Sequence, residues 1–161
     1  MTKSEDWNKL KIVSILKLKS LKNRLNSHGI RPTYIRLKIL DYLEKHRSHP
    51  TAEEIHDALV REIPTMSLTS VYNTLNVFYE KGLINQLFIT GSEARYDREI
   101  SPHHHFFCEK CGRIIDLDIE CSFFKKGSVK GHQITELHGY FKGVCKDCFK
   151  KGKLRHGSPS D

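Results

Sequence analysis

Four of the five cysteines stand in two pairs, Cys108-Glu-Lys-Cys111 and Cys145-Lys-Asp-Cys148. Two intervening residues let both thiolates of a pair reach one ion from a tight turn, and two such pairs complete a tetrahedral sulfur site for zinc. Four sulfurs leave no coordination position open, so the site is structural. The N-terminus is basic, but its Leu and Ile residues alternate with Lys and make no export signal. In that setting paired CxxC reads as metal rather than disulfide, with a redox dithiol pair as the alternative. The gap of 33 residues between the pairs leaves room for secondary structure between two metal knuckles. Cys121 is left over and reads as a small buried hydrophobe, or alternatively as an accessory thiol sensor.

A second constellation precedes the first knuckle. In His103-His104-His105 a strand would point His103 and His105 to one face and His104 to the other. Imidazoles at that spacing can chelate one ion. Asp97 lies nearby on the N-terminal side, Asp116 follows the knuckle, and His49 ends a loop in the first half of the chain. A His/carboxylate set suits iron, manganese or zinc, unlike the all-sulfur site. A surface histidine tract is the plain alternative. If His49 joins the others on one ion, the metal fixes an inter-domain angle.

The elements that must position these residues fall into two halves. Residues 6 to about 27 carry Trp7, Leu10, Val13, Leu18, Leu21 and Leu25 in an approximately helical stripe, stopped by Gly29. A second helix opens at Thr33, with Ile35, Ile39, Leu40 and Leu43 facing inward. A third opens with the capping box Thr51-Ala-Glu-Glu54, and Ala52, Ile55 and Leu59 form its apolar face. A fourth is capped by Ser67, buries Leu68, Val71, Leu75 and Phe78, and ends at Gly82. Its other face shows Thr69, Ser70, Tyr72, Asn73 and Asn76, with no acid among them to repel phosphate. Runs 83–89 and 94–98 then flank Thr90-Gly91-Ser92-Glu93 as a hairpin. Helices followed by a hairpin make a winged helix-turn-helix plan. The second half predicts strands over 103–107, 113–117 and 133–141 and a weak helix over 122–130. The fold class is therefore α+β. A winged helix-turn-helix DNA-binding domain, 1–97, leads through a hinge, 98–102, to a small α/β dimerisation domain, 103–150, with the four-cysteine zinc site. A flexible tail, 151–161, closes the chain.

Charge agrees with that plan. The formal charge is +8, and residues 1–40 carry ten Lys/Arg against two acids while the remainder is balanced. A concentrated basic arm seeks a phosphate backbone or an anionic surface. No apolar run approaches the ~20 residues that span a bilayer, so membrane and secreted readings are set aside.

On these residues the chain resembles the ferric uptake regulator family over roughly residues 20–150. The matching stretches are Gly29-Ile-Arg-Pro-Thr-Tyr-Ile-Arg36, Ser48-His-Pro-Thr-Ala-Glu-Glu-Ile55, Met66-Ser-Leu-Thr-Ser-Val-Tyr-Asn-Thr-Leu75, His103-His-His105 and both cysteine pairs. The resemblance implies a bacterial cytoplasmic homodimer, not an enzyme, that binds palindromic operator DNA when metal-loaded and usually represses. It implies structural zinc on Cys108, Cys111, Cys145 and Cys148. It also implies a regulatory Fe2+ or Mn2+ on His49, Asp97, His103, His105 and Asp116, where Zn2+ can stand in purified protein. DNA contacts are expected from Lys19, Lys22, Arg36, Thr69, Ser70, Tyr72 and Asn73.

Two positions resemble the peroxide-responsive repressors of that family. Iron-uptake regulators typically place Glu where Asp116 stands and Arg where Asn73 stands. The subfamily resemblance implies an open iron position at which peroxide is cleaved, with His49 and His103 as the oxidation-sensitive imidazoles. Peroxide is then the only small-molecule partner. Pro102, His104 and Leu137 depart from a further metal site that many iron regulators carry, and His138 could compensate only through a register shift. Gly127 and Gly131 weaken the family's dimerisation helix. The first 20 residues extend beyond the usual pattern and read as helix one lengthened. An iron- or zinc-uptake regulator is the alternative within the family. A metallohydrolase is a remote one, lacking an HExxH helix or an evident base, and a passive zinc-ribbon module would leave His49, Asp97 and Asp116 unexplained.

Overall fold

The computed structural model describes residues 3–153 apart from 90, 92, 102, 120–127 and 134–138, with side chains from residue 12 onward except 129, 152 and 153. The chain divides into two compact units, Met1–Ile100 and Ser101–Asp161.

The first unit is built from four helices, α1 (Lys3–Ser27), α2 (Tyr34–Lys45), α3 (Ala52–Leu59) and α4 (Leu68–Glu80), followed by a hairpin of β1 (Asn85–Leu87) and β2 (Arg95–Asp97). Local chemistry sets the boundaries. Thr33 and Ser67 each accept a backbone N–H at the start of α2 and α4. At α3 both bonds of the capping box form: the Glu54 N–H donates to Thr51 Oγ1 at 3.2 Å and the Thr51 N–H to Glu54 Oε2 at 3.0 Å. Gly29 and Gly82 take φ of +67° and +64° just past α1 and α4, a conformation that lets the chain reverse without a Cβ clash. The core gathers Leu21, Leu25, Ile39, Leu40, Leu43, Ile55, Val71, Leu75, Phe78 and Tyr96. This is the winged helix-turn-helix arrangement, with α4 as the second helix of the pair and β1–β2 as the wing.

Two expectations change here. The stripe of α1 does not stay buried along its length: Leu21 and Leu25 are in the core, whereas Val13 and Leu18 are 62% and 44% exposed. Helical spacing produces a helix, but burial needs a facing element. Ion pairs from α1 to α2 run from Lys17 to Asp41 at 2.6 Å and from Arg24 to Glu44 at 3.1 Å, and residues 12–16 ahead of them are exposed. Trp7 and Leu10 lie outside the described side chains. The wing strands are also shorter than the predicted runs. Leu83, Ile84 and Ile89 are buried beside the ladder rather than paired in it, and Thr90 and Ser92 lie outside the described residues.

In the second unit β3 (His104–Cys108) is the centre of a three-stranded sheet, flanked by β4 (Ile114–Leu117) antiparallel and β7 (Tyr140–Gly143) parallel. A small hairpin of β5 (Ser128–Val129) and β6 (His132–Gln133) precedes β7, and α5 (Lys146–Lys153) follows it. The predicted strand over 133–141 is thus two elements, with Gln133 in β6 and Tyr140 and Phe141 in β7. The predicted helix over 122–130 is corrected at its end. Ser128 and Val129 are strand, and Lys130 and Gly131 turn the hairpin with φ of +50° and +85°. Two successive positive φ values match the right-handed twist of a two-residue hairpin. Residues 122–127, with Cys121, Leu137, His138 and Pro102, lie outside the described residues. The sequence analysis does not predict helix α5, because its Lys-rich run has only Cys148 and Phe149 as apolar residues and contains Gly152, too little to mark a buried stripe.

Candidate metal centres and nucleic-acid interface

The sulfur tetrad is assembled by the sheet. Cys108 ends β3, and the turn to β4 carries Cys111, closed by Gly112 N–H donating to Cys108 O at 2.8 Å with φ of +69° at the glycine. The parallel partner β7 runs out to Cys145, and Glu109 N–H donates to Gly143 O at 2.8 Å, clamping the two knuckles side by side. Cys148 stands in the first turn of α5. The four sulfurs lie within 4.8 Å of one another, with Cys111 Sγ 3.9 Å from Cys145 Sγ. Four sulfurs each ~2.3 Å from one zinc stand ~3.8 Å apart, so this donor set fits tetrahedral zinc. The Cys145 N–H donates to Cys108 Sγ at 3.3 Å, and this bond, against the opposing effect of burial, brings the Cys108 thiol down to about 6. Burial acts without such relief on Cys148 and pushes it up to about 12. Arg113 donates from Nε to Cys111 Sγ at 3.4 Å and from a terminal nitrogen to Cys145 Sγ at 3.6 Å, and its hydrogen bond lowers the Cys111 thiol.

The same sheet places the second-unit imidazoles. His105 pairs directly across the ladder with Asp116. Asp116 Oδ1 lies 3.5 Å from His103 Nε2 and 3.8 Å from His105 Nε2, and the two rings are 4.4 Å apart. His104 turns to the other face, against Phe141 at 5.9 Å, as strand alternation requires. His103 is held by a 2.8 Å bond between its Nδ1 and Ser101 O, which leaves Nε2 toward Asp116.

In the first unit His49 and Asp97 are buried together, with His49 Nε2 3.7 Å from Asp97 Oδ2. His49 takes φ of +50°, an uncommon conformation for a residue with a Cβ. The wing holds it there: Arg95 donates to His49 O at 3.1 Å, and Tyr96 N–H donates to Pro50 O at 3.0 Å. Asp97 is fixed by Glu99 N–H, donated to Oδ1 at 2.9 Å. Two donors each ~2.1 Å from one ion stand at most ~4.2 Å apart, so the His49–Asp97 pair of this unit and each Asp116–imidazole pair of the other have chelating separations. Imidazole with carboxylate suits iron, manganese or zinc.

On α4 the expected reading face is solvent-exposed at Thr69, Tyr72 and Asn73. Two of its groups are already engaged. The Ser70 hydroxyl lies 2.8 Å from Ser67 Oγ at the helix cap. Tyr72 donates its hydroxyl to Glu53 Oε1 at 2.5 Å, a bond that raises the phenol to about 12 and lowers the carboxyl of Glu53. The sequence reading of α4 found no acid on this face, and the structure brings one from α3. Glu53 was hidden because its role as an ordinary first-turn acid of α3 already accounts for it. Lys19 and Lys22 are exposed on α1, and Arg36 is half-buried, donating to Arg31 O at 2.9 Å.

A winged helix joined to a sheet domain with a sulfur tetrad and His/Asp chelating groups defines a metal-responsive DNA-binding regulator. The sequence pattern of the Ferric uptake regulator family matches residues 27–148, and the chain belongs to that family, whose members are dimeric DNA-binding regulators. Over 141 residues it is 36% identical to the peroxide operon regulator of Bacillus subtilis, covering 83% of this chain and 94% of that one. It is 35% identical to the peroxide-responsive repressor of Staphylococcus epidermidis, over 80% of this chain and 87% of the relative. Its fold matches the crystal structure of the Vibrio cholerae ferric uptake regulator with a TM-score of 0.63 and 25% identity, covering 77% and 98% of the two chains. No helix among the described residues is long and apolar enough to cross a membrane.

Proposed function

We propose that this protein is a cytoplasmic homodimeric repressor that binds palindromic operator DNA when a divalent ion occupies His49, Asp97, His103, His105 and Asp116, and that releases the operator on exposure to hydrogen peroxide. Zinc on the four cysteines keeps the second unit folded. The observation that carries the reading is the short carboxylate of Asp116, set across from His105 and within 3.5 Å of His103. An Asp here reaches both imidazoles from the neighbouring strand. The similarity to peroxide-responsive repressors, each matched over most of its length, supports the same reading.

Ferrous iron held by these residues would supply the one electron that opens the O–O bond of peroxide; over the whole reaction the two electrons that reduce peroxide to water would come from a ligand imidazole, which gains one oxygen, and the iron would be returned to its ferrous state. The chain's own residues do the rest. His49 and Asp97 offer donors from the DNA-binding unit, and His103, His105 and Asp116 offer them from the sheet. Holding one ion between the two sets restrains the orientation of the winged helix. Oxidation of His49 or His103 removes a donor and with it that restraint.

Peptide mass spectrometry after brief dilute peroxide tests this, with protein loaded with Fe2+ and a Mn2+ control. A gain of one oxygen on the His49 or His103 peptide, with iron only and with loss of operator binding, is expected. Unmodified histidines with operator binding intact would instead assign the chain to sensing of iron or zinc availability.

A further inference from the structure

The residue that bridges the two cysteine pairs is Arg113. Its guanidinium donates to one sulfur of each pair, Cys111 at 3.4 Å and Cys145 at 3.6 Å. The same terminal nitrogen donates to Asp147 Oδ2 at 2.7 Å, and Asp147 sits inside the second pair, between Cys145 and Cys148. Arg113 itself follows the first pair by two residues, at the mouth of β4. One side chain therefore spans both knuckles, and a carboxylate from the second knuckle sets its orientation.

A zinc ion on four thiolates carries two net negative charges, concentrated on the sulfurs. N–H groups donated from a cation to such sulfurs form charge-assisted bonds. They withdraw electron density from the ligands and oppose separation of the two knuckles. Lysine could offer only a point charge here. The planar fork of Arg reaches two sulfurs and a carboxylate at once.

We propose that Arg113, oriented by Asp147, is a positioning residue of the sulfur tetrad that slows loss of its zinc. The inference rests on the tetrad holding zinc, so zinc content of the purified full chain is measured first. One zinc per chain is expected in the His103→Ala background, which disables the His/Asp site, and its absence there overturns the tetrad assignment and this inference with it. Release into 4-(2-pyridylazo)resorcinol is then timed for the zinc-loaded protein and its variants, all carrying His103→Ala so that only zinc on the tetrad is read. Removing an outer-shell partner typically weakens metal affinity about 10- to 100-fold, so Arg113→Ala should release zinc faster by up to about that factor. Arg113→Lys should fall between the two. Release from Arg113→Ala at the wild-type rate overturns the proposal.

Cobalt substitution separates this role from a merely structural one. Loss of the hydrogen bonds should move the sulfur-to-cobalt absorption band of the folded variant, which a general loosening of the unit would not do. Should Arg113→Ala fail to fold, Asp147→Asn decides. Freeing the guanidinium from its carboxylate must speed release and shift the cobalt band, and wild-type behaviour on both counts overturns the inference.

Discussion

Asp116 lies directly across the β3–β4 ladder from His105, and its Oδ1 stands 3.8 Å from that imidazole and 3.5 Å from His103. The carboxylate is therefore delivered by strand register, and a one-residue slip would turn it to the opposite face. His103 is half-buried and its ring contributes little to the packed core, so His103→Ala should leave the fold unchanged. It should weaken manganese binding at least about tenfold, since even outer-shell losses cost that much. Operator binding titrated with Mn2+ by fluorescence anisotropy checks this, and full metal-dependent binding by the variant would remove His103 from the proposed ligand set.

The tetrad should behave differently. Zinc bound to a small structural site contributes ~10–16 kcal/mol of apparent binding free energy, as much as the folding stability of a whole domain. Cys111→Ser is expected to purify without zinc and to lose the sheet unit and the dimer. Circular dichroism and size-exclusion chromatography alongside metal analysis read all three effects. A zinc-free variant that stays dimeric and folded would show the tetrad to be dispensable.

Tyr72, Asn73 and Asn76 are exposed hydrogen-bonding groups at the middle of α4. A bidentate contact from Asn to a base discriminates by ~1–3 kcal/mol, so Asn73→Ala should lower operator affinity by that amount and leave non-specific affinity alone. Tyr72 is tied to Glu53, whose negative charge opposes phosphate. Glu53→Gln should therefore tighten operator and non-specific DNA together. Competition binding with a scrambled duplex separates the two effects, and equal weakening of both by Asn73→Ala would exclude base reading by this residue.

Lys19 and Lys22 are exposed on α1. If each neutralises one phosphate, replacing both by Ala should reduce the slope of log affinity against log salt by roughly 1.8, at ~0.9 per phosphate on duplex DNA. Binding measured between low and moderate salt gives the slope directly. An unchanged slope would place both lysines away from the duplex.

Asp41 couples α1 to α2 through Lys17 at 2.6 Å and pairs with Lys45 at 2.7 Å. Burial alone would raise its carboxyl, but the hydrogen bonds from Lys17 and Lys45 outweigh burial and hold it below the ordinary 3.8. A folded-state value lower than the unfolded one stabilises the protein above pH 3.8, and that stabilisation disappears as pH falls through the lower folded value. Asp41→Asn should cost within about 1 kcal/mol near neutrality, because the pair is partly exposed. Thermal melts of both proteins should converge in acid, and a difference that persists at the lowest pH would assign the effect to packing instead.

What the amino-acid order determines by itself is local. The capping box at Thr51 and Glu54, the caps Thr33 and Ser67, the stops at Gly29 and Gly82 and the two CxxC turns each depend on residues a few positions apart. Their chemistry is legible in any short window, as is the alternation that separates His104 from His103 and His105. The tertiary structure decides every pairing across long separations. The parallel ladder of β3 and β7 brings Cys111 to Cys145, the register of β4 brings Asp116 to His105, and the packing of α3 on α4 brings Glu53 to Tyr72. Exposure of Val13 and Leu18 belongs to the same class, since a helical stripe is buried only where another element faces it. Arg113 shows the difference most plainly. Its neighbours in sequence mark it as a surface arginine beside a metal knuckle, and only a second knuckle 32 residues onward gives its guanidinium two sulfurs and a carboxylate to hold.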